Sequence, residues 1–477
     1  MTVMFWPVVI FMAISLAIGL YTYTQVRGSS QRYTVCGKSM PFLVVGTALT
    51  AQAIDGNSTL GNTSLTYSSG VWSGLAIPLG LALSLVIVGR FLAAPLNKMS
   101  LLTLPEFFYR RYGRTTELLA SVLTVVCFLV LVAGNLSAVA WILSSVSGLS
   151  YGWALTIATS VILLYTVAGG LYAAIWTDFF QIHVAIAGFL LACGYTLLYH
   201  PVPLAKFADL GGLTSVSQGA LLNWASIISL GFGNAMALDF MERVFSAKSP
   251  QTASRACYYA SGWTIVTGIA ASILGLAAVQ LLPNIADPRM VLPTLATEHL
   301  PYSIGVMVFV GVLGASMSTA NGAMLVIAVV MARNIWQRWQ SEPVPDAKML
   351  FLSRALAAPT ALIGALIAYW RPEPGILLVV AFDIVFAGCV VPLFLGVYWR
   401  RANAAGAIAS IVAGTAVRAA FYFLTPEKWA GLDTLLPPVI SGLVFVGVCL
   451  SRPAGQVAGR KFDRLYTPAP EDMLEVA

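Results

Sequence analysis

The chain has 477 residues, 58% of them hydrophobic and only 9% charged, where a soluble domain carries about 25%. That balance excludes a large globular enzyme and points to an integral membrane protein. The formal charge of +7 does not imply a nucleic-acid partner, because the basic residues follow the loops and build no patch on a soluble domain.

A span needs roughly 20 apolar residues. In chain order the sequence offers thirteen, at 4–24, 41–66, 70–96, 116–146, 150–170, 179–199, 221–245, 256–283, 302–332, 349–369, 375–398, 403–424 and 434–451. The first lacks a basic leader and a small-residue cleavage site, so it reads as a retained helix and not a signal peptide. The remaining loops are too short for a soluble catalytic domain. Loops after odd-numbered spans hold most of the 26 Lys and Arg, whereas the other side holds only Lys206, Arg289, Arg371 and Lys428. The positive-inside rule then predicts a plasma (inner) membrane protein with its N-terminus outside and its C-terminus cytoplasmic.

Span 2 carries Asp55-Gly56-Asn57 at its middle. An aspartate at mid-bilayer costs a few kcal/mol or more and is rarely kept without a use. Glycine beside it weakens the helix where backbone groups can be freed. The Asn57-Ser58-Thr59 sequon falls inside the span and reads as a chance match. With span 1 set aside as accessory, spans 2–6 and 7–11 form two groups of five, and the odd number inverts the second. Span 7, which corresponds to span 2, is interrupted by Gly231-Phe232-Gly233-Asn234. Paired breaks in matching helices point to a transporter binding site. Asp55, Asn57, Trp224, Phe232 and Asn234 are therefore candidate substrate-binding residues, with plain core packing equally compatible with each aromatic.

Span 9 places Ala315, Ser318, Thr319 and Gly322 on one helix face. Two hydroxyls with freed carbonyls can give a hard cation an oxygen shell, although Ser and Thr also act as packing glue between membrane helices. Asp239, four residues before Arg243, fits an intrahelical pair or a gate. Asp383 in span 11 fits a substrate contact or an outer gate. Three intramembrane carboxylates, Asp55, Asp239 and Asp383, against few cations predict a negative cavity suited to an amine or ammonium group. Asp178, just before span 6, reads as its N-cap. The three histidines, His183, His200 and His299, are dispersed, and the six cysteines show no metal spacing. No enzyme is expected.

Four landmarks occur in one order over roughly residues 40–400: Leu102-Thr103-Leu104-Pro105-Glu106-Phe107-Phe108 with Arg111-Tyr112-Gly113, Gly169 through Asp178 followed by Gln181, Glu242-Arg243 with Ala247-Lys248-Ser249, and Met317-Ser318-Thr319-Ala320. Together they resemble the sodium:solute symporter family. The resemblance implies an all-α membrane protein of about 13 transmembrane helices in a LeuT-type 5+5 inverted repeat. Residues 1–40 would form an accessory helix and loop, 41–200 the first repeat, 201–400 the second, and 401–477 two accessory helices and a cytoplasmic tail. It further implies a sodium-coupled symporter that imports a small polar organic solute by alternating access, with Na+ as the coupling ion. The sodium ligands would be the carbonyls of Ala51, Ile54 and Ala315 and the hydroxyls of Ser318 and Thr319, with Asp178 and Asp239 on the exit or gating side. Three positions depart from the family pattern. Asn321 and Gly322 stand where a second sodium would need serines, and Ala53 stands where an aspartate is common. Proton coupling through Asp55 and a transporter-like sensor module are the alternatives, the latter disfavoured by the short tail. The expected partners are the solute, sodium and the lipid bilayer, with no nucleic acid and no obligate protein partner.

Overall fold

In the computed structural model the described residues are 4–340, 342, 344–451, 462 and 465. Most of the expected C-terminal tail, including Arg452, Arg460, Lys461 and Arg464, lies outside them. The described residues form helices joined by short turns; Met40 and Ala247 make an isolated bridge. The main helices are α1 (Phe5–Tyr21), α2 (Phe42–Ala53), α3 (Gly56–Ser69), α4 (Val71–Ile87), α5 (Arg114–Ser147), α6 (Tyr151–Tyr199), α7 (Ala220–Gly233) and α8 (Leu238–Ser246). They continue with α9 (Pro250–Leu281), α10 (Tyr302–Val330), α11 (Asp346–Trp370), α12 (Pro374–Gly388), α13 (Val390–Tyr398), α14 (Ala404–Leu424) and α15 (Leu432–Ser451).

Among the described residues nine helices are long and apolar enough to cross a membrane, or up to eleven if each bent pair counts as one span. The count of thirteen expected from hydropathy also joins α2 to α3 and divides α6. At 49 residues, α6 would run about 74 Å if straight, more than twice a bilayer core. It turns at Gly170, whose φ of +56° and ψ of −136° suit glycine. A Cβ there would also come within 2.5 Å of the Tyr33 ring.

Three helix pairs are broken. Between α2 and α3, Ile54 and Asp55 leave helical geometry (ψ 51° and −179°). The α7–α8 pair bends by 49° and the α12–α13 pair by 50°. The α7–α8 break was expected at Gly231–Asn234, yet α7 runs through Gly233 and the extended residue is Ala237 (ψ 107°). Gly233 serves packing instead, since a Cβ there would meet the Phe382 carbonyl at 2.8 Å. The α12–α13 bend at Cys389 interrupts a span that reads as continuous in sequence.

Close approach through small residues holds the core helices together, as expected where lipid offers no hydrophobic contrast. Gly188 of α6 faces the Met307–Val308 backbone of α10, and Gly311 of α10 faces the Ala185 backbone. The broken α2–α3 helix is packed against α6, α9 and α10. The polar residues of the break are thereby shut inside the bundle.

Candidate functional site

The break gives Asp55 a task that its sequence position does not reveal. Its Oδ1 accepts the Ser58 N–H at 2.8 Å and its Oδ2 accepts Asn135 Nδ2 at 2.7 Å. This is an N-cap, which supplies one of the bonds that the first turn of α3 lacks. Asp55 is only 1% exposed, and no Lys or Arg pairs with it among the described residues. Asn57, with its amide oriented so that both ends are paired, donates to the carbonyls of Gly134 (3.1 Å) and Pro374 (3.0 Å) and accepts from Asn135 (2.7 Å). It therefore ties α3 to α5 and to the start of α12. Its amide is fully used by partners within the fold.

The end of α2 leaves backbone carbonyls without a helical partner. Ile54 N–H bonds the Thr50 carbonyl at 2.9 Å, and the helix then stops, so no further turn uses the carbonyls of Ala51 and Ile54. Both side chains pack on Ile182 and Ala185 of α6. Across from them runs α10. A Cβ on Gly56 would lie 2.0 Å from Ser316 Oγ, so glycine is required by the approach of α3 to α10. Ser318 Oγ lies 3.3 Å from the Gln52 amide. Thr319 and Ala315 are buried, and the Thr319 hydroxyl has no hydrogen-bond partner. The five expected sodium ligands thus sit on facing segments, with one hydroxyl left open.

At the basic face the pairing differs from expectation. Arg243 does not bond the Asp239 side chain; its Nη1 donates to the Asp239 carbonyl at 3.0 Å. Its Nε and Nη2 donate to Asp178 Oδ2 at 3.2 and 2.8 Å, with both side chains fully buried. Asp178 is inside α6, not at a helix start, which overturns the N-cap reading. Glu242 is also buried, and neither of its carboxylate oxygens has a hydrogen-bond partner. Met40 N–H bonds the Ser246 carbonyl at 3.0 Å and Lys248 N–H bonds the Met40 carbonyl at 3.1 Å. These bonds fasten the entrance of α2 to the end of α8 and close this face.

Three further expected substrate contacts lie elsewhere. Trp224 is 45% exposed, with Nε1 donating to the Leu213 carbonyl at 3.0 Å; thirteen residues before Ala237, it is about 20 Å along the helix from the bend. Phe232 stacks on Phe386 with ring centroids 6.4 Å apart, so it packs α7 on α12. Asp383 is held by Ser229, by Thr434 Oγ1 at 2.8 Å and by Arg418 Nη2 at 3.0 Å. Those donors fill it and tie α12 to α7, α14 and α15. Asn234 remains a candidate: it is buried and both of its amide atoms lack partners.

On the opposite face a cavity of about 420 Å³ opens between Ser64, Ser68, Asp287, Arg289 and Glu373. Burial alone would raise the Asp287 carboxyl, but its bonds to Arg289 hold it below its usual value. Beneath the cavity α3 meets α12 so closely that a Cβ on Gly61 would lie 2.5 Å from Gly375 Cα. The Gly61→Ala change is expected to disfavour this closed contact by about 1–3 kcal/mol through overpacking. A cysteine placed at Ser64 should then label faster with a membrane-impermeant maleimide; unaltered labelling would contradict a closing role for this contact.

Gln52, Asn135 and the pairing of Asp178 with Arg243 are what sequence reasoning missed. Each side chain is a buried polar group inside an apolar span, the one signal that marked them.

Comparison with known proteins bears on the family and the fold. The model described as "Sodium:solute symporter family" matches residues 33–414. The chain is similar to the high-affinity proline transporter PutP of Bacillus subtilis (strain 168), at 26% identity over 460 residues that cover 90% of this chain and 92% of that protein. It is also similar to the sodium/glucose cotransporter of Vibrio parahaemolyticus, at 23% identity over 498 residues, covering 92% and 88%. Among solved structures it resembles a Na+-coupled sialic acid symporter in a substrate-bound outward-open state. The TM-score is 0.78, with 96% of this chain and 99% of that one covered at 17% identity, a likeness that shows the fold.

Proposed function

Because the chain belongs to the sodium:solute symporter family, we propose that it is a plasma-membrane importer of a small polar solute bearing an amine. The chain is a multi-pass symporter with Na+ as coupling ion, and its fold is of the LeuT type. The solute class, the ligand residues, the division into repeats at 41–200 and 201–400 and the orientation are our reading. The observation that carries the solute class is the Asp55 carboxylate, buried at the break among neutral donors and with no Lys or Arg paired to it among the described residues. An ammonium group would supply the missing charge-assisted bond.

In this reading sodium binds between the Ala51 and Ile54 carbonyls of α2 and Ala315, Ser318 and Thr319 of α10. It links two helices that have no covalent reason to stay together, and so favours one arrangement of the bundle over the other. The solute occupies the adjoining space near Asp55 and Asn234. The basic face, closed by Asp178–Arg243 and the Met40–Ala247 bridge, is the cytoplasmic one. Coupling requires that sodium and solute both prefer the same arrangement.

The Asp55→Asn change tests the amine. Asn caps helices about as well as Asp, so α3 should survive, while the loss of the charge should weaken an amine by about 1.5–3 kcal/mol, or roughly 10- to 100-fold. A thermal-shift screen of amines, amino acids, sugars and carboxylates, with and without sodium, identifies the ligand. Uptake by the Asp55→Asn protein with unchanged apparent affinity would sink the amine reading.

A further inference from the structure

The geometry points to Gln52 as a positioning residue that sets the Ser318 hydroxyl for sodium and links the sodium site to the lock on the cytoplasmic face. The inference deepens the sodium-site reading above and rests on it.

Gln52 is buried, one residue past Ala51, in the last turn of α2. One end of its amide lies 2.7 Å from Arg243 Nη2 and the other lies 3.2 Å from Asp239 Oδ2. A guanidinium only donates and a carboxylate only accepts, so the end beside Arg243 is the amide oxygen and the end beside Asp239 is the NH2. The amide oxygen is also the end that lies 3.3 Å from Ser318 Oγ. The serine hydroxyl must therefore give its proton to Gln52, which leaves its lone pairs free. A hydroxyl ligates a cation through a lone pair, so Gln52 fixes Ser318 in the sense that sodium needs. The fold makes room for this arrangement: a Cβ on Gly322 would stand 3.3 Å from Gln52 and 3.4 Å from Arg243 Nη2.

The same amide belongs to the lock. Arg243 holds Asp178 with Nε and Nη2, the Asp239 carbonyl with Nη1, and Gln52 with Nη2. Sodium on Ser318 polarises the hydroxyl and strengthens its bond to Gln52. That steadies the amide against Arg243 and Asp239 and so favours the closed cytoplasmic face. When sodium leaves, Ser318 is free to rotate and the amide loses one of its three anchors. Ligand-orienting partners of this kind set metal affinity by about 10- to 100-fold.

The test uses full-length protein in liposomes in which Cys36, buried at the closed face, is the one cysteine kept. Sodium affinity is read by thermal shift, and closure by the rate at which a maleimide on the cytoplasmic side alkylates Cys36. In the parent, sodium should slow alkylation. Gln52→Leu should weaken sodium by about 10- to 100-fold and, at saturating sodium, no longer slow alkylation. Gln52→Glu, made together with Asp239→Asn so that two carboxylates do not meet at the 3.2 Å contact, keeps an acceptor for Ser318 and Arg243 and should recover much of the sodium affinity. Gln52→Leu with parental affinity and parental sodium protection overturns the role of Gln52. If Ser318→Ala leaves sodium affinity intact in the parent, the sodium-site reading itself fails, a separate outcome. A misfolded Gln52→Leu would show as loss of the thermal transition, and Gln52→Glu with Asp239→Asn against Gln52→Met then decides by the same two readouts.

Discussion

Replacing Thr319 with valine is expected to abolish sodium-driven uptake while leaving the protein at least as stable without sodium. The two outcomes have one cause. The Thr319 hydroxyl is buried and unpaired, and such a group costs about 1–3 kcal/mol relative to a hydrogen-bonded one. Valine has nearly the same shape and no hydroxyl, so the sodium-free protein should gain up to about that amount. Wild type should gain about 2.7 kcal/mol at a sodium concentration about 100 times its Kd, and the variant should gain little. Melting curves with sodium and with an osmotically matched choline salt separate the two effects. A Thr319→Val protein that is destabilised in choline but still stabilised by sodium would show that the hydroxyl serves packing and not the ion.

Arg243→Met should be among the most damaging single changes in the chain. It leaves Asp178 fully buried with no guanidinium, and breaking a buried pair from one side costs about 3–5 kcal/mol. The Gln52 amide oxygen and the Asp239 carbonyl also lose a donor. The double change Asp178→Asn with Arg243→Gln removes both charges and should recover most of that loss, because neutral amides can still bond each other. Unfolding midpoints in one detergent, for the parent, each single variant and the double, form the cycle that measures the coupling. Additive losses would mean that the pair contributes no coupling. The double variant should nonetheless transport poorly, since the tie between the sodium site and the cytoplasmic face is gone.

Much of this was readable in the residues. Asp55 and Gly56 mark the first break because a charge and a glycine inside an apolar run both oppose a continuous helix. The α10 face with Ala315, Ser318 and Thr319 follows from helical spacing alone. The pairing of side chains was hidden, because a sequence shows neighbours along a helix and not across the bundle. Arg243 has Asp239 one turn away yet takes Asp178, 65 positions distant, since the α6 carboxylate faces it directly. Asp383 seemed free for the same reason: its guanidinium, Arg418, comes from a helix outside the two expected repeats. The α12–α13 bend carried a signal of its own kind: Pro392 has no N–H, and its ring crowds the carbonyl of Gly388 four residues back, so the helix breaks at Cys389 with no charge to mark it.

The cluster around Asp383 has a mechanical consequence. One carboxylate gathers Ser229 from α7, Arg418 from α14 and Thr434 from α15, and Arg418 also holds Asp433 at 2.9 Å. Swinging α12 outward by itself would strip a buried carboxylate of its guanidinium, at about 3–5 kcal/mol. It is cheaper to carry the neighbours along. The two trailing helices then act as ballast on a hinged door. A displacement of α12 would therefore carry α14 and α15 with it.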